Sequence, residues 1–404
     1  MKIAVAWSPA TVVAVLAACG EVAQPPPVLV PCVTRANPTI TLSGVHTSPF
    51  TNTSLDRNST IDAADARFVT SENIAISIGG GSGICFLGGD VMGSEPPATP
   101  YSTMHLTYGL VARASSFRVE DLRVFDYGDG ASMDAQGDAN WSVRDAYFKF
   151  IRDDCVENDF LNSGTIDNSL FDGCFEGFSS RPYTTTLDGS DNLVVVRNSL
   201  FRLQDMDQGY SRPGHGGFFK WDAKAPRIEL YNNVYRVDSH IVENDVLIPP
   251  ANKLQACSGN VMIWLGAGPF PETLPPCYTL LTGDAGLEYW NRAVAAWKAG
   301  HPKTLVDAAP PIVSVDAPAD SATVSSVVEL TATAVDDQAV TGVQFRLNDQ
   351  DVGAELQAEA PITKFTLSWD SHALPNGSYG LTAVARDAAG NATTSSGVVV
   401  TIAN

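Results

Sequence analysis

Nine consecutive residues near the middle of the chain, Ile151-Arg-Asp-Asp-Cys-Val-Glu-Asn-Asp159, carry four carboxylates, and a fifth, Asp129, precedes Asp154 by 25 residues. Acids at this density support two kinds of chemistry. Two carboxyls held in different environments act as general acid and general base, the arrangement that hydrolyses a glycosidic bond, and Asp129, Asp153 and Asp154 are the candidates. Several together coordinate a hard cation such as Ca²⁺, with Asp153, Asp154, Glu157 and Asp159 as candidate ligands. A second dense stretch, Arg212-Pro-Gly-His-Gly-Gly-Phe-Phe-Lys-Trp-Asp222, contributes His215 and Lys220, and Arg181 lies between the two. Arg181 or Lys220 as a base beside bound Ca²⁺ is the equipment of an elimination at a uronate. The structural alternatives are concrete as well: an Arg181–Glu176 pair, a turn role for His215, and core positions for Phe218 and Trp221.

Neighbouring side chains of a strand point to opposite faces, so Asp153 and Asp154 require either a bend or the burial of one carboxyl. The surrounding sequence supplies bends. One pattern returns five times, as Val119-Glu-Asp-Leu-Arg-Val124, Val143-Arg-Asp-Ala-Tyr-Phe148, Ile166-Asp-Asn-Ser-Leu-Phe171, Val196-Arg-Asn-Ser-Leu-Phe201 and Leu230-Tyr-Asn-Asn-Val-Tyr235, with first residues 24, 23, 30 and 34 apart. Such units bury their apolar side only by stacking, so the pattern predicts a parallel β-helix. The Asp/Asn column (Asp121, Asp145, Asn168, Asn198, Asn232) is then expected at the corners, bonding to backbone and up the stack. A leucine-rich solenoid is the rival, and its Leu-x-x-Leu-x-Leu signature is missing. A rung step of about 4.8 Å would bring Asp129 close to Asp153 and Asp154.

Gly286–Ala299 is the one convincing helix, with Trp290, Val294 and Trp297 on one face, Asp284 as cap, and Gly300 and Pro302 as stop. We expect it to cover the open end of the stack, because an uncapped end exposes pairing edges. At Asp307-Ala-Ala-Pro-Pro311 the composition changes, and strands such as Val327–Ala334, Gly342–Leu347 and Tyr379–Ala385 recur every 8 to 12 residues, which predicts an Ig-like sandwich. At the start, an apolar run from Thr11 to Ala18 is too short to span a bilayer and precedes Leu16-Ala-Ala-Cys-Gly20. The run Gln24-Pro-Pro-Pro27 reads as an extended tether. With Cys19 set aside six cysteines remain, for which Cys257–Cys277 and Cys32–Cys85 are the expected pairs; Cys155–Cys174 is less secure because the two are offset within their units. The net charge of −20 repels nucleic acid and anionic membranes, and polyuronates too unless cations intervene.

Four resemblances follow from these residues. Leu16-Ala-Ala-Cys19 resembles the lipobox of bacterial lipoproteins, which implies lipidation of Cys19, export to the cell envelope or surface, and contact with a membrane only through acyl chains. Val335-Asp-Asp337, Ser368-Trp-Asp370 and Leu381–Asn391 resemble the recurrent phrases of bacterial Ig-like modules; there Asp336, Asp387 and Asn391 serve turns or, alternatively, Ca²⁺. Asp153-Asp-Cys-Val156, with Asp129 one unit earlier, resembles polygalacturonase-type hydrolases, although Gly173-Cys-Phe-Glu-Gly177 stands where Gly-His-Gly is expected and Arg227-Ile-Glu229 replaces the lysine motif. More broadly the chain resembles the pectate-lyase-like superfold of right-handed parallel β-helices, whose members are mostly carbohydrate-active, which implies a polysaccharide partner; we expect a monomer. The expected organisation is a signal segment over 1–19, a tether over 20–38, an all-β right-handed parallel β-helix over 39–303 and an Ig-like β-sandwich over 309–404. An enzyme that cuts the glycan and a protein that only binds it both remain open.

Overall fold

A computed structural model describes residues 38–95, 99–137, 139–206, 214–241, 245–302, 310–336, 340–358, 364–387 and 390–404. The signal segment, Cys19, Cys32 and most of the tether lie outside them. From Ile40–His46 to Tyr278–Thr282, 22 strands join in one sheet. Within it each strand pairs in parallel with its counterpart in the next coil, which is a parallel β-helix.

The five repeats fix the register. Val119, Val143, Ile166, Val196 and Leu230 are direct partners on successive coils, all inside the core. The residue two places on is left-handed in every unit, with φ of 58° at Asp121, 52° at Asp145, 48° at Asn168, 53° at Asn198 and 54° at Asn232. Asp and Asn tolerate this conformation better than other residues with a Cβ. Each corner N–H donates to a carbonyl of the following coil, as Asn198 does to Tyr231 at 2.9 Å and Asn232 to Ser258 at 2.9 Å. Side-chain amides climb the same column, with Asn198 Nδ2 donating to Asp167 Oδ1 and Asn232 Nδ2 to Asn198 Oδ1. At the next corner Gly259 takes over at φ 67°, where a Cβ would lie 2.3 Å from Asn232 Oδ1. Beside this column runs a buried one in which Ala146, Ser169, Ser199 and Asn233 each donate a backbone N–H to the side-chain oxygen of Ser169, Ser199, Asn233 and Asn260 in turn. The last position of the repeat forms an inward aromatic ladder, Phe148–Phe171–Phe201–Tyr235, with centroids 4.6 to 5.4 Å apart.

The position before that ladder faces outward and is also apolar. Tyr147, Leu170, Leu200, Val234 and Val261 are in register and would leave an apolar stripe exposed. The helix, Gly283–Gly300, covers it with Trp290 and Trp297. Its 18 residues span about 27 Å, which matches five to six coils at about 4.8 Å. The expected end cap is therefore corrected: the helix lies along the flank, where Trp290 and Trp297 bury the apolar stripe. Trp297 Nε1 donates to Asn168 O at 2.8 Å, and Arg123 reaches His301 O at 3.0 Å. The helix also begins earlier than expected, from Thr282 as N-cap, so Asp284 sits in its first turn rather than at the cap.

The C-terminal region is a sandwich of a three-stranded antiparallel sheet and a six-stranded sheet, antiparallel but for the pairing of Ala322–Val324 with Val398–Ile402, around Leu330, Phe345, Trp369 and Leu381. Its Gln350–Gln357 edge strand escaped the sequence pattern because almost every side chain in it is polar or exposed. Asn391 donates from its N–H and Nδ2 to Asp387 at 2.8 and 2.7 Å, so this pair fastens a turn. A second outward apolar group on the solenoid, Met92, Phe125, Phe150, Phe175 and Met206, packs against Val335 of the sandwich. At the same seam Lys149 Nζ donates to Asp336 O at 3.1 Å, and burial lowers its pKa to about 8.

Cys257 pairs with Cys277, as expected. Cys85 is disulfide-bonded, and its expected partner Cys32 lies outside the described residues. The doubt over Cys155–Cys174 is corrected, since the two are bonded inside the core. Their offset in sequence is absorbed where the Tyr147–Glu157 strand slips register between Ile151 and Asp154, with Phe150 (φ 54°) and Gly173 (φ 98°) left-handed nearby.

The corner column is directly testable. Asn198→Ala places a Cβ-bearing residue without a local hydrogen bond in the left-handed region and should cost about 1–2 kcal/mol more than Asn198→Gly. The comparison is read from the midpoints of chemical denaturation of the two variants, and equal midpoints would refute the corner account.

Candidate functional site

The stacked register brings acids from successive coils onto one face. Asp129 opens the Asp129–Met133 strand; Asp153, Asp154 and Glu157 end the Tyr147–Glu157 strand; Glu176 lies on Leu170–Ser180; Lys220 is in Phe219–Trp221. Asp154 pairs with Glu176, Glu157 with Ser179, and Ser179 with Lys220, while Ser132 is the neighbour of Glu157 on the other side. The carboxylates therefore sit on neighbouring rungs, and Asp129 Oδ1 accepts from the N–H of Asp154 at 3.0 Å.

One cation serves this group directly. Lys220 Nζ lies 3.1 Å from Asp154 Oδ2 and 3.6 Å from Asp153 Oδ1. Tyr101 donates its hydroxyl to Asp153 Oδ2 at 3.2 Å. Burial works to lower the lysine pKa, but Asp154 and Asp153 outweigh it and hold Lys220 protonated. The carboxyls are pushed the other way. Burial raises Asp154 to about 7 against the pull of Lys220, and burial with the nearby Asp154 raises Asp159 to about 6. Asp129 and Glu157 are displaced well upward by burial and by the surrounding acids, and Asp153 is raised by burial while Lys220 and Tyr101 oppose it. Hydrogen bonding agrees with this. Ser132 Oγ is 2.6 Å from both Asp134 Oδ1 and Glu157 Oε1, and its single hydrogen can serve only one of them. A protonated Glu157 donating to Ser132, which in turn donates to Asp134, satisfies all three.

Asp129, Asp154 and Glu157 each offer one oxygen within 4.8 Å of the other two. Asp129 Oδ2 and Asp154 Oδ1 are buried without a hydrogen-bond partner. An all-oxygen set with unsatisfied buried carboxylate atoms fits a hard cation of the Ca²⁺ or Mg²⁺ kind, or protons in its place. The ligand set anticipated from sequence is thus rearranged: Asp154 and Glu157 are joined by Asp129, while Asp153 turns to Tyr101 and Lys220. Asp159 accepts instead from Ser179 Oγ at 2.9 Å and from the Arg181 N–H at 3.1 Å.

Two other candidates fall elsewhere. Arg181 pairs with Asp245 at 2.7 Å rather than with Glu176. His215 is fully buried, its ring nitrogens facing Gly216 O at 2.6 Å and Ser239 O at 3.2 Å, which is the turn role. Phe218 is core, packed edge-on to Tyr235 at 5.0 Å, and half-buried Trp221 donates to Pro226 O. Sequence reading missed Tyr101 and Glu176. Glu176 is buried, accepts the Gly217 N–H at 2.7 Å, hydrogen-bonds Asp245, and is pushed well above the usual range by burial and then by Asp245. A Cβ on Gly216 would lie 1.6 Å from Glu176 Oε1, which explains the glycine there. The signal available for Glu176 was its place in the column of Asp154, one unit later.

Comparison with known proteins identifies the C-terminal region only. Residues 311–383 match the bacterial Ig domain family. Among solved structures the chain is similar to the fibronectin(III)-like modules of Clostridium thermocellum CbhA, at 22% identity over 22% of this chain and 93% of that one, with a TM-score of 0.19. It is also similar to the endo-beta-1,4-mannanase from Thermotoga petrophila, at 12% identity over 45% of this chain and 39% of that one, with a TM-score of 0.21. No curated protein matches the chain. Among the described residues no helix is long and apolar enough to cross a membrane.

The raised carboxyls fix the direction of a pH effect. An unfolded Asp or Glu releases its proton near pH 4, whereas Asp159 and Asp154 hold theirs in the fold to about 6 and about 7. Between these values the native state binds more protons than the unfolded chain, so stability is greatest at acidic pH and falls as pH rises through that window. The melting temperature should therefore be higher near about pH 5 than near about pH 8. Asp154→Asn should flatten the difference, and Ca²⁺ should raise the melting temperature only at the higher pH. A melting temperature that rises with pH would refute the buried-acid assignment.

Proposed function

We propose that this chain is an exported, lipid-anchored protein that acts on a polysaccharide at the acid cluster, by hydrolysis. The observation that carries this reading is the meeting of Asp129, Asp153 and Asp154 on adjacent coils, with Lys220 against the latter two and Asp154 raised to about 7 by burial. An acid with that pKa keeps a proton at neutral pH and can give it to the glycosidic oxygen. Asp153, drawn toward its ionised form by Lys220 and Tyr101, takes the proton of the water that adds to the anomeric carbon. The two products carry the hydrogen and the hydroxyl of that water.

Elimination is supported less well. It needs an unprotonated base, but Lys220 is held charged by two carboxylates and Arg181 is paired with Asp245. A non-catalytic glycan-binding protein is the second reading, and one observation favours it: Asp129 and Asp154 are only 0% and 1% exposed. The export and anchoring parts rest on Leu16-Ala-Ala-Cys19 and its preceding apolar run, together with the bacterial Ig domain, a module common on exported proteins.

Incubation with plant, algal and bacterial polysaccharides separates the readings. Hydrolysis releases reducing ends without an unsaturated sugar, with a rate that falls as pH rises through about 7. Asp154→Asn should lower that rate by about 10²-fold or more while leaving the fold intact. Unsaturated uronate in the products would overturn hydrolysis, and binding without cleavage would establish the second reading.

A further inference from the structure

Next to the acid cluster one aromatic ring breaks the rule that the solenoid buries its rings. Tyr183 is 72% exposed and is the only aromatic among the exposed large apolar side chains of the described residues. It is nevertheless fixed in place. Its ring stacks on Phe160 with centroids 5.5 Å apart and planes 19° from parallel. Its N–H donates to Asp159 O at 2.9 Å, and the Arg181 N–H two residues earlier donates to Asp159 Oδ1. The chain leaving Ser180 thus folds back onto Asp159-Phe160 and presents a flat ring to solvent. The same Asp159 joins the ring to the acids: its carboxyl accepts from Ser179, the register partner of both Glu157 and Lys220, and it responds to the charge of Asp154.

One face of the ring lies on Phe160, and the ring is otherwise open to solvent. Core aromatics repay their ordering by burial, whereas a preordered exposed ring is suited to receive the face of another ring. We infer that Tyr183, backed by Phe160, is a stacking platform for a pyranose ring of a neutral glycan, one subsite away from the acids. This deepens the proposed function and rests on it. The neutral class follows from charge. Lys220 is engaged by Asp153 and Asp154, Arg181 by Asp245 and Lys224 by the Thr185 carbonyl, and the surrounding acids repel a uronate carboxylate. The hydroxyls of Thr184 and Thr186, 3.0 Å apart on the exposed loop beyond Tyr183, provide uncharged hydrogen-bonding partners for a sugar.

The test is affinity electrophoresis of the full chain and its variants in gels containing a neutral mannan, xylan or β-glucan, or a polyuronate. Tyr183→Ala should weaken retardation by a neutral polymer about tenfold, Tyr183→Trp should preserve it, and Tyr183→Ala should keep a cooperative melting transition lowered only by the loss of the Phe160 stack. If the wild-type chain is retarded by none of these polymers and cleaves none, the proposed function itself fails. If it is retarded and Tyr183→Ala is retarded equally, the platform is refuted while the proposed function stands. Preferential retardation by the polyuronate would overturn the neutral class.

Discussion

Parallel register, held at corners that only a few residue types can form, is the constraint on which the molecule depends. Each coil returns to the same place because an Asp or Asn accepts the left-handed conformation and donates its N–H to the next coil. The buried Ser/Asn column beside it satisfies the backbone groups that the tight corner would otherwise strand. Once the corners are in line, side chains at equivalent positions must be neighbours whether they attract or repel. The aromatic ladder gains from that, and the acid cluster is made possible by it.

An outward apolar stripe is the other consequence of strict register. Repetition that lines the inside with Val and Phe also repeats Tyr147, Leu170, Leu200 and Val234 on the outside. Water does not tolerate an apolar stripe of that length. The helix covers one outward surface and the Ig-like sandwich another, so the C-terminal module packs against the solenoid as part of its cover. The face bearing Asp129, Asp153, Asp154 and Lys220 is covered by neither and keeps its polar side chains.

On that face the excess of acid over base decides the chemistry. Lys220 answers two carboxylates, and Asp129, Glu157 and Glu176 have no comparable cation at hydrogen-bonding distance among the described residues. Burial makes these acids keep their protons, and at Asp154 it outweighs the pull of Lys220 and moves the pKa to about 7. The same imbalance suits a hard cation and is unfavourable to an anionic sugar.

How much of this was legible depended on how local the cause was. The five repeats, their polar corners and the sandwich strands could be read directly, because a turn residue and an alternating strand carry their reasons within a few positions. Gln350–Gln357 was not legible, since only Val352 and Leu356 of this edge strand pack on the core, among polar and exposed neighbours. That Asp129, Asp153 and Asp154 would meet could be read from the period alone; that Arg181 and His215 would not join them could not.

The coil, its corners and the rungs that carry acids are written in the order of residues, because stacking turns spacing along the chain into distance between rungs. Tertiary structure alone decided the partners. Tyr101 reaches Asp153 from 52 residues away, Lys220 reaches Asp154 from 66, and Arg181 finds Asp245 at 64, all through segments that obey no repeat. The register slip between Ile151 and Asp154 likewise accompanies the Cys155–Cys174 bond and the burial of both aspartates. A bulge and a loop length are settled by what they pack against, and the neighbouring residues in sequence carry no record of that.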